Sequence, residues 1–463
     1  QGLSTSDDPR FVRYWHEVSI DRAELDGSAG DGPWVPYNKG GIYRKWFGNI
    51  EHLIQWEGKG RDIKARKPKS VIRNERFYFQ PSASWQDYTI GATSFRHYPA
   101  GFVFATNAHS AFVNDPADMM KILSFCNSKV LSALSDAVSP GLHFNSGYFN
   151  LIPFKASAVS TEVDAIASRA VEIAKVDWDS FERSWNFMRS PLVEFAQSEP
   201  LASGSYARWL KSNAVLIDEM RGLERKNNQF FIDVYGLSRE LDPEVRIEDI
   251  TLTINPVFRY GAKNSEADLA RKFRENSAEE LVSYAIGCIM GRFSLDRTGL
   301  VHGRGGNAGF DSTQYRTMPA DADGILPITD EAWFEDDAAS RMPEFLSAVW
   351  GEASVEANLT WLAEGLLAKP FEDSRLAIRG YLFDQFYKDH VQTYKKRPIY
   401  WLFSSGKLGA FQALVYQHRL VDGTLARMRS AYVMPLLTKM SNRIEILSFG
   451  AGGKSKAGER AKQ

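Results

Sequence analysis

The pattern of apolar residues along this chain of 463 residues changes near residue 155. Before that point, short aromatic runs alternate with turn residues, as in WVPYNKGGIYRKWFGN over 34–49, which is typical of strands and turns. After it, Val163, Ile166 and Ala170 recur at the spacing of a helix. The change predicts an α+β fold in which a mixed sheet precedes mainly helical regions.

Length and local composition divide the chain further, since 463 residues suggest two to three domains. A loop-rich, acidic stretch contains PADADGILPITDEAWFEDD, and the glycine-rich, basic end of the chain is typical of a disordered tail. We therefore predict a sheet domain over 1–155, a helical spacer over 156–285, an acidic connector over 286–345, a C-terminal helical domain over 346–447 and a flexible tail over 448–463.

Several segments carry more local expectations. The runs EHLIQWE, RFYFQP and GFVFATN are predicted as strands, and residues 145–153 as the last strand of the sheet domain. Asp115-Pro116 is predicted to begin a helix, and Ser277 with Glu280 fits a capping box. RPIYWLFSSGK is expected to form a strand or turn, followed by a final helix from Gly409 onward.

Charge is distributed unevenly, although the net charge is only −1. Between Lys39 and Arg76 there are eleven basic residues against four acidic ones. A local excess of this kind is the electrostatic signature of phosphate contact, whereas the total charge is uninformative.

Cysteine, histidine and hydropathy patterns exclude several classes. Cys126 and Cys288 lie far apart in apolar surroundings, which fits buried thiols in a reducing compartment. No zinc-ligand spacing is present, and the calcium-like DADG at Asp321 has Ala332 where the twelfth-position glutamate belongs, so no metal site is expected. No apolar run approaches the roughly 20 residues of a membrane helix. We expect a cytoplasmic protein without a membrane partner.

Three stretches are long and unusual enough to carry a family resemblance. They are KRPIYWLFSSGKLGAFQALVYQHRL over 396–420, the preceding RGYLFDQFYKDHVQTYK from Arg379, and IGCIMGRFSLDRTGL over 286–300. They resemble the C-terminal portion of PglX, the family of site-specific, adenine-specific DNA methyltransferases of BREX phage-defence systems. The resemblance implies an intact enzyme that flips an adenine and methylates it from S-adenosylmethionine. It implies double-stranded DNA as partner, with other BREX proteins or a phage-encoded inhibitor as further candidates.

The catalytic features of that family are missing from this sequence. The one Asn-Pro pair, Asn255-Pro256, is followed by Val257 and Phe258 and not by Pro-Tyr. The glycine cluster GRGGNAG over 303–309 follows no clear strand, opens no helix pattern and is expected to be a flexible loop. No catalytic and no S-adenosylmethionine-binding residue is therefore assigned. Since the chain begins with Gln1, we expect a fragment of a longer polypeptide.

The first 155 residues resemble the target-recognition domains of type I and type IIG restriction-modification proteins, through YNKGG, RKW, GN and NSK and a closing glycine-to-proline segment. Such a domain holds loops in the major groove, where base edges are distinguishable. Alternatives remain: the cluster near Lys39 fits a solvated hairpin, Arg73 and Asn74 fit pairing with Glu75, and Arg96 fits packing. The predicted DNA-binding residues are Lys39, Arg44, Lys45, Trp46, Lys64, Arg66, Lys67, Lys69, Arg73, Asn74 and Arg96.

The sequence therefore predicts the DNA-recognition and C-terminal region of a site-specific N6-adenine DNA methyltransferase. One alternative is a non-enzymatic scaffold that binds other defence proteins or a phage inhibitor. Another is the specificity half of a type IIG restriction-modification enzyme, against which the missing Pro-Asp…Glu-x-Lys nuclease signature argues.

Overall fold

The structure is a computed structural model that describes residues 1–450 apart from 28–29, 31, 90, 156–160, 367, 370–371 and 408. Most of the predicted tail, from residue 451, lies outside the described residues. The chain forms two compact units, of which unit 1 comprises Gln1–Tyr284 with Thr298–Gly303. Unit 2 comprises Ala285–Arg297 and the chain from Arg304 onward. Small sheets and many helices confirm the predicted α+β class.

Unit 1 begins with two small sheets. A four-stranded mixed sheet has the order β1-β3-β2-β6, antiparallel except for the parallel pair β2 and β6. An antiparallel sheet has the order β5-β4-β7. Leu53, Ile54 and Val35 are fully buried in these strands. The strands are β1 (Val12–Tyr14), β2 (Trp34–Asn38), β3 (His52–Gln55), β4 (Ser82–Gln86), β5 (Arg96–Tyr98), β6 (Val103–Phe104) and β7 (Ala108–Ala111).

Two segments predicted as strands are helical instead, for local reasons. In RFYFQP, residues Glu75–Phe77 form a short 3₁₀ helix after Asn74, whose φ is +54°. Asparagine adopts this left-handed conformation more readily than most residues, and it turns the chain. In residues 145–153, the Asn145 side chain accepts hydrogen bonds from the backbone N–H groups of Gly147 (2.8 Å) and Tyr148 (3.3 Å). These bonds start a helical turn where a strand was expected.

The helices of unit 1 follow the predicted apolar periodicity more closely. Asp115 caps a short turn over Pro116–Asp118 that leads into a helix, as predicted. Ser277, by contrast, lies in the middle of a helix and donates to the Phe273 carbonyl (2.6 Å), so the predicted capping box is wrong. The helices are α1 (Asp8–Phe11), α2 (Glu57–Lys64), α3 (Met119–Cys126), α4 (Lys129–Val138), α5 (Ser146–Phe149), α6 (Thr161–Asp179), α7 (Pro191–Phe195), α8 (Ala202–Tyr235), α9 (Pro256–Tyr260) and α10 (Glu266–Ile289), whose last turn enters unit 2.

Unit 2 combines helices with one antiparallel sheet of order β8-β10-β9. RPIYWLFSSGK contributes the strand β9, as predicted, but no helix begins at Gly409. Gln412–Tyr416 pairs with β9 instead, because Ala413 and Val415 fill the core on one face of that strand. The elements are β8 (Ile325–Pro327), α11 (Ala338–Trp350), α12 (Val355–Gly365), α13 (Ser374–Asp384), α14 (Phe386–Thr393), β9 (Tyr400–Ser404), β10 (Gln412–Tyr416), α15 (Thr424–Arg427), a π-helical turn (Met428–Val433) and α16 (Met434–Gly450).

Residues 1–155 and the predicted spacer after them lie in the same compact unit, so the five-part division stays a prediction. In the described part of the chain, no helix is both long enough and apolar enough to span a bilayer.

Candidate nucleic-acid-binding surface

The eleven residues predicted to contact DNA separate into an interior group and a surface group. Arg44, Lys45, Trp46 and Arg96 are buried in unit 1. The surface group is partly or fully exposed and consists of Lys39, Lys64, Arg66, Lys67, Lys69, Arg73 and Asn74.

The guanidinium of Arg44 donates its hydrogen bonds to groups inside the protein. Its guanidinium donates to the Asp177 carboxylate (Nη2–Oδ2 2.5 Å) and to the carbonyls of Phe47 (2.7 Å) and Ala174 (3.2 Å). Asp177 also accepts from the backbone N–H groups of Thr253 and Ile254, both at 2.8 Å. The charge pair is therefore fully hydrogen-bonded within the core.

Lys45 and Trp46 share one carboxylate, that of Glu224 in α8. The Lys45 ammonium pairs with Glu224 Oε2, and the Trp46 indole N–H donates to Oε1 at 2.8 Å. Burial alone would lower the pKa of Lys45, but the adjacent Glu224 carboxylate raises that pKa above its ordinary value. Lys45 is thus a buried cation that keeps its proton.

Arg96 lies beneath the same loop and has no exposed surface. Its Nη1 donates to the carbonyls of Arg44 (3.1 Å) and Ile42 (3.4 Å). The expectation that Arg44, Lys45, Trp46 and Arg96 reach DNA is therefore corrected, because each side chain is enclosed and used by neighbouring groups. Together they fix the conformation of residues 39–49, here called the braced loop.

The surface group belongs mainly to residues 57–76, here called the basic segment. It contains eight basic residues against three acidic ones. Ile63 is fully buried in the core and Ile72 and Phe77 pack against it, so apolar side chains anchor the segment from below. The exposed basic side chains are those of Lys59, Arg61, Lys67, Lys69, Arg73 and Arg76, whereas Lys64 and Arg66 are half-buried.

Ion pairs leave part of this charge uncompensated. Lys64 pairs with Glu75, and Arg61 contacts Asp62 at 3.2 Å. Among the described residues, no ion pair involves the exposed lysines of the segment, which are Lys59, Lys67 and Lys69. These three ammonium groups are available to an anionic partner.

The N-terminal segment connects the basic segment to the braced loop. Asp7 contacts Arg66 (3.4 Å) and the adjacent Asp8 contacts Lys39 (2.8 Å). Farther along, Gln1 accepts from Arg73 Nη1 at 2.8 Å through its side chain and from Asn74 Nδ2 at 2.9 Å through its carbonyl. Residues 1–8 therefore contact both the basic segment and the braced loop and connect them within unit 1.

Sequence reasoning missed two features of this surface. No sequence pattern indicated that Asp7 and Asp8 would contact Arg66 and Lys39, since an acidic pair near the start of a chain has no characteristic spacing. Lys59, Arg61 and Arg76 belonged to the basic excess but not to the predicted contact residues. Their place in the same uninterrupted run was the signal that could have included them.

The two segments that come nearest to the family's catalytic and cofactor motifs, Asn255-Pro256 and 303–309, make contacts within the protein. Asn255 is buried, its side-chain amide donates to the carbonyls of Ile247 (2.8 Å) and Ile250 (2.9 Å), and its oxygen caps α9. In the glycine cluster, which was predicted to be a flexible loop, the Asn307 side chain accepts a hydrogen bond from Arg419 Nε at 3.2 Å. This bond attaches the loop to Arg419. Within the described ranges, no group of three or more metal-ligating side chains occurs.

Comparison with known proteins gives a consistent relationship. No family model matches the chain. It is 39% identical over 449 residues to the adenine-specific methyltransferase BrxX of Escherichia coli O9:H4 (strain HS). This match covers 95% of the present chain. The chain is 33% identical over 452 residues to the adenine-specific methyltransferase PglX of Lacticaseibacillus casei (strain Zhang), a match that covers 94% of it. The chain spans 36% of the length of each relative.

Proposed function

Because this chain belongs to the family of the BREX adenine-specific methyltransferases BrxX and PglX, we propose that it supplies their DNA-recognition and C-terminal region. The observation that carries the proposal is the basic segment, whose exposed lysines have no carboxylate partner in the described structure. Duplex DNA, with its regularly spaced phosphates, is the partner that this surface fits.

The basic segment would position the duplex without selecting its sequence, because phosphates are the same at every base pair. Lys59, Lys67 and Lys69 would contact phosphates directly. Lys64 and Arg66 would exchange a carboxylate partner for a phosphate. Arg73 and Asn74 remain candidates for reading guanine and adenine edges, since their side chains are exposed.

We assign methyl transfer to the part of the intact enzyme that this chain does not cover. The relatives are about three times as long as the matched region, and Asn255-Pro256 of this chain is not followed by the Pro-Tyr of the family's catalytic motif. In this proposal the cofactor serves the intact polypeptide, and the adenine leaves the duplex to reach it.

The test is binding of this chain to duplex DNA at several salt concentrations, followed by fluorescence anisotropy. Affinity for DNA falls as salt rises, and each phosphate contact adds roughly 0.9 to the steepness of log affinity against log salt. Replacing Lys59, Lys67 and Lys69 together by alanine should therefore make this dependence less steep by about two to three. The matched control replaces Lys211, Arg225 and Lys226, three exposed basic residues of α8, and should leave the slope unchanged.

Equal slopes for both triple variants would overturn the assignment of the basic segment. Absence of any salt-dependent DNA binding by the wild-type chain would overturn the DNA-recognition role itself. That second result would favour a scaffold that binds other defence proteins or a phage inhibitor.

A further inference from the structure

The braced loop carries one residue that its bracing does not explain, Ile42. Ile42 is 67% exposed, although Arg44, Lys45 and Trp46 shortly after it are buried. An isolated exposed aliphatic residue is ordinary on a protein surface. This one is held on a backbone that is fixed from several sides, and that is the unusual feature.

Hydrogen bonds fix the backbone at the tip of the loop. The Ile42 carbonyl accepts from Asn49 Nδ2 (2.9 Å) and from Arg96 Nη1 (3.4 Å). The N–H of Gly40 donates to Asn38 Oδ1 (3.0 Å), and that of Gly41 donates to Gln86 Oε1 (3.3 Å). Ile42 therefore projects from a tip with little conformational freedom.

The two glycines before Ile42 are required by this geometry. Gly40 has φ +81°, and a Cβ there would lie 1.8 Å from Gln86 Oε1. Gly41 has φ +144°, and its Cβ would lie 2.6 Å from the Asn49 side chain. Glycine is therefore the residue that fits both positions, and the chain presents backbone and one aliphatic side chain there. Such a tip can approach another molecule closely.

The connection between β2 and β3 is also anchored to two helices of unit 1. Two buried cations, Arg44 and Lys45, are held by carboxylates from α6 and α8. Buried ion pairs contribute little net stability, because desolvation offsets their attraction. They do hold the two residues Arg44 and Lys45, shortly after Ile42, against α6 and α8, and a recognition site needs side chains on a fixed backbone. The loop also lies beside the basic segment through Lys39, Asp8, Asp7 and Arg66.

We propose that Ile42 reads the C5-methyl group of a thymine in the major groove, as a specificity-determining contact beside the phosphate-binding basic segment. This inference rests on the proposed DNA-recognition function. In unmodified DNA, thymine is the base with a methyl group in that groove, and apolar side chains recognise it by excluding water from both surfaces. A rigid aliphatic tip distinguishes thymine from a base without the methyl group, because it cannot move to form another contact in place of the lost one.

The experiment first selects bound duplexes from a random pool with the wild-type chain. Each thymine of the selected motif is then replaced in turn by deoxyuridine, which lacks only the methyl group. At one position the wild-type chain should lose roughly 3- to 5-fold in affinity, the value of one buried methyl group. Ile42→Ala should bind the thymine and deoxyuridine duplexes equally at that position. The control Val215→Ala, at a 60% exposed aliphatic residue of α8, should keep the wild-type ratio.

Two results would overturn the proposal while leaving the DNA-recognition function intact. One is an Ile42→Ala variant with the wild-type ratio of thymine to deoxyuridine affinity. The other is wild-type DNA binding that depends on salt but not on any thymine methyl group or any selected motif. Absence of salt-dependent binding altogether would overturn both proposals.

Discussion

The braced loop and the basic segment are both rich in arginine and lysine, and they lie close together in sequence, yet their cations have opposite fates. In the loop, Arg44 and Lys45 are buried against Asp177 and Glu224, which come from helices more than 130 residues farther along the chain. In the segment, the basic side chains are exposed or half-buried, and their carboxylate partners are Asp62 and Glu75 of the same segment and Asp7 near the start of the chain. The fold thus brings a carboxylate to each of these two cations, whereas the equally buried Arg96 donates to the carbonyls of Arg44 and Ile42.

The two environments also differ in energetic consequence. A buried pair is costly to break because the remaining charge stays desolvated, whereas an exposed pair contributes 0–1 kcal/mol. We therefore expect the braced loop to respond to substitution through stability and the basic segment to respond through DNA affinity. Three predictions test that contrast, beginning with the largest effect.

Replacing Glu224 by alanine should destabilise unit 1 strongly. The variant leaves the Lys45 ammonium and the Trp46 indole N–H buried without their shared partner. Loss of one member of a buried pair costs roughly 3–5 kcal/mol in the free energy of unfolding. Urea denaturation followed by circular dichroism measures the change.

The matched control is Glu219→Ala on the same helix. Glu219 pairs with Arg169 at the surface, with both side chains more than a third exposed. Its loss should cost about 1 kcal/mol or less. Equal destabilisation by the two variants would contradict the contrast between buried and exposed pairs.

Acid should weaken the surroundings of the braced loop through His97, whose backbone N–H donates to the Trp46 carbonyl at 2.7 Å. Burial lowers the pKa of His97 from about 6.5 to about 4. Between these values the unfolded chain binds the proton and the folded chain does not. The free energy of unfolding should therefore fall as the pH drops from about 6.5 to about 4, by roughly 1–3 kcal/mol.

Denaturation at several pH values compares the wild type with His97→Gln, which has no proton to take up. The variant should show a smaller decrease in stability over this range, whatever its stability at neutral pH. An unchanged pH profile in His97→Gln would exclude this residue as the source of the acid sensitivity.

Glu75→Gln should affect the basic segment in the opposite way from Glu224→Ala in the loop. It removes the exposed carboxylate paired with Lys64, so stability should change by less than about 1 kcal/mol. DNA affinity at low salt should rise roughly 3- to 10-fold, because one more cation is free to replace a counterion. Anisotropy titration at low salt measures the increase in DNA affinity, and the same titration at high salt measures how far screening removes that increase.

Glu172→Gln is the control for the change in net charge, since Glu172 is an exposed glutamate of α6 paired with Arg169. It should leave DNA affinity within experimental error. A gain as large as that of Glu75→Gln would mean that total charge, and not the basic segment, governs binding.

The two regions also show where sequence reasoning succeeded and failed. The basic excess over 39–76 was visible, but not which of its members would be buried. Arg44 and Lys67 carry the same charge in the same run, and no local pattern distinguishes them. The difference is made by Asp177, whose position near Arg44 is known once α6 has packed.

Short segments failed for a related reason. The apolar run GAFQALVYQH fits a helix and a strand equally well by periodicity, and pairing with Tyr400–Ser404 made it a strand. Residues 145–153 had an acceptable strand composition, but the Asn145 side chain capped a helical turn first. A short element follows its neighbours or its caps more than its own propensity.

Four properties were predictable from the sequence alone: the α+β class, the long helices such as Thr161–Asp179, the family relationship and the presence of a basic run. These properties depend on periodicity, composition and long matched stretches, all of which are readable along one dimension. The tertiary structure decided which basic residues face solvent, how residues 39–49 are braced and that Ile42 projects from a fixed tip. Those outcomes depend on groups far apart in sequence, because a buried charge is tolerated where the fold brings its partner to it.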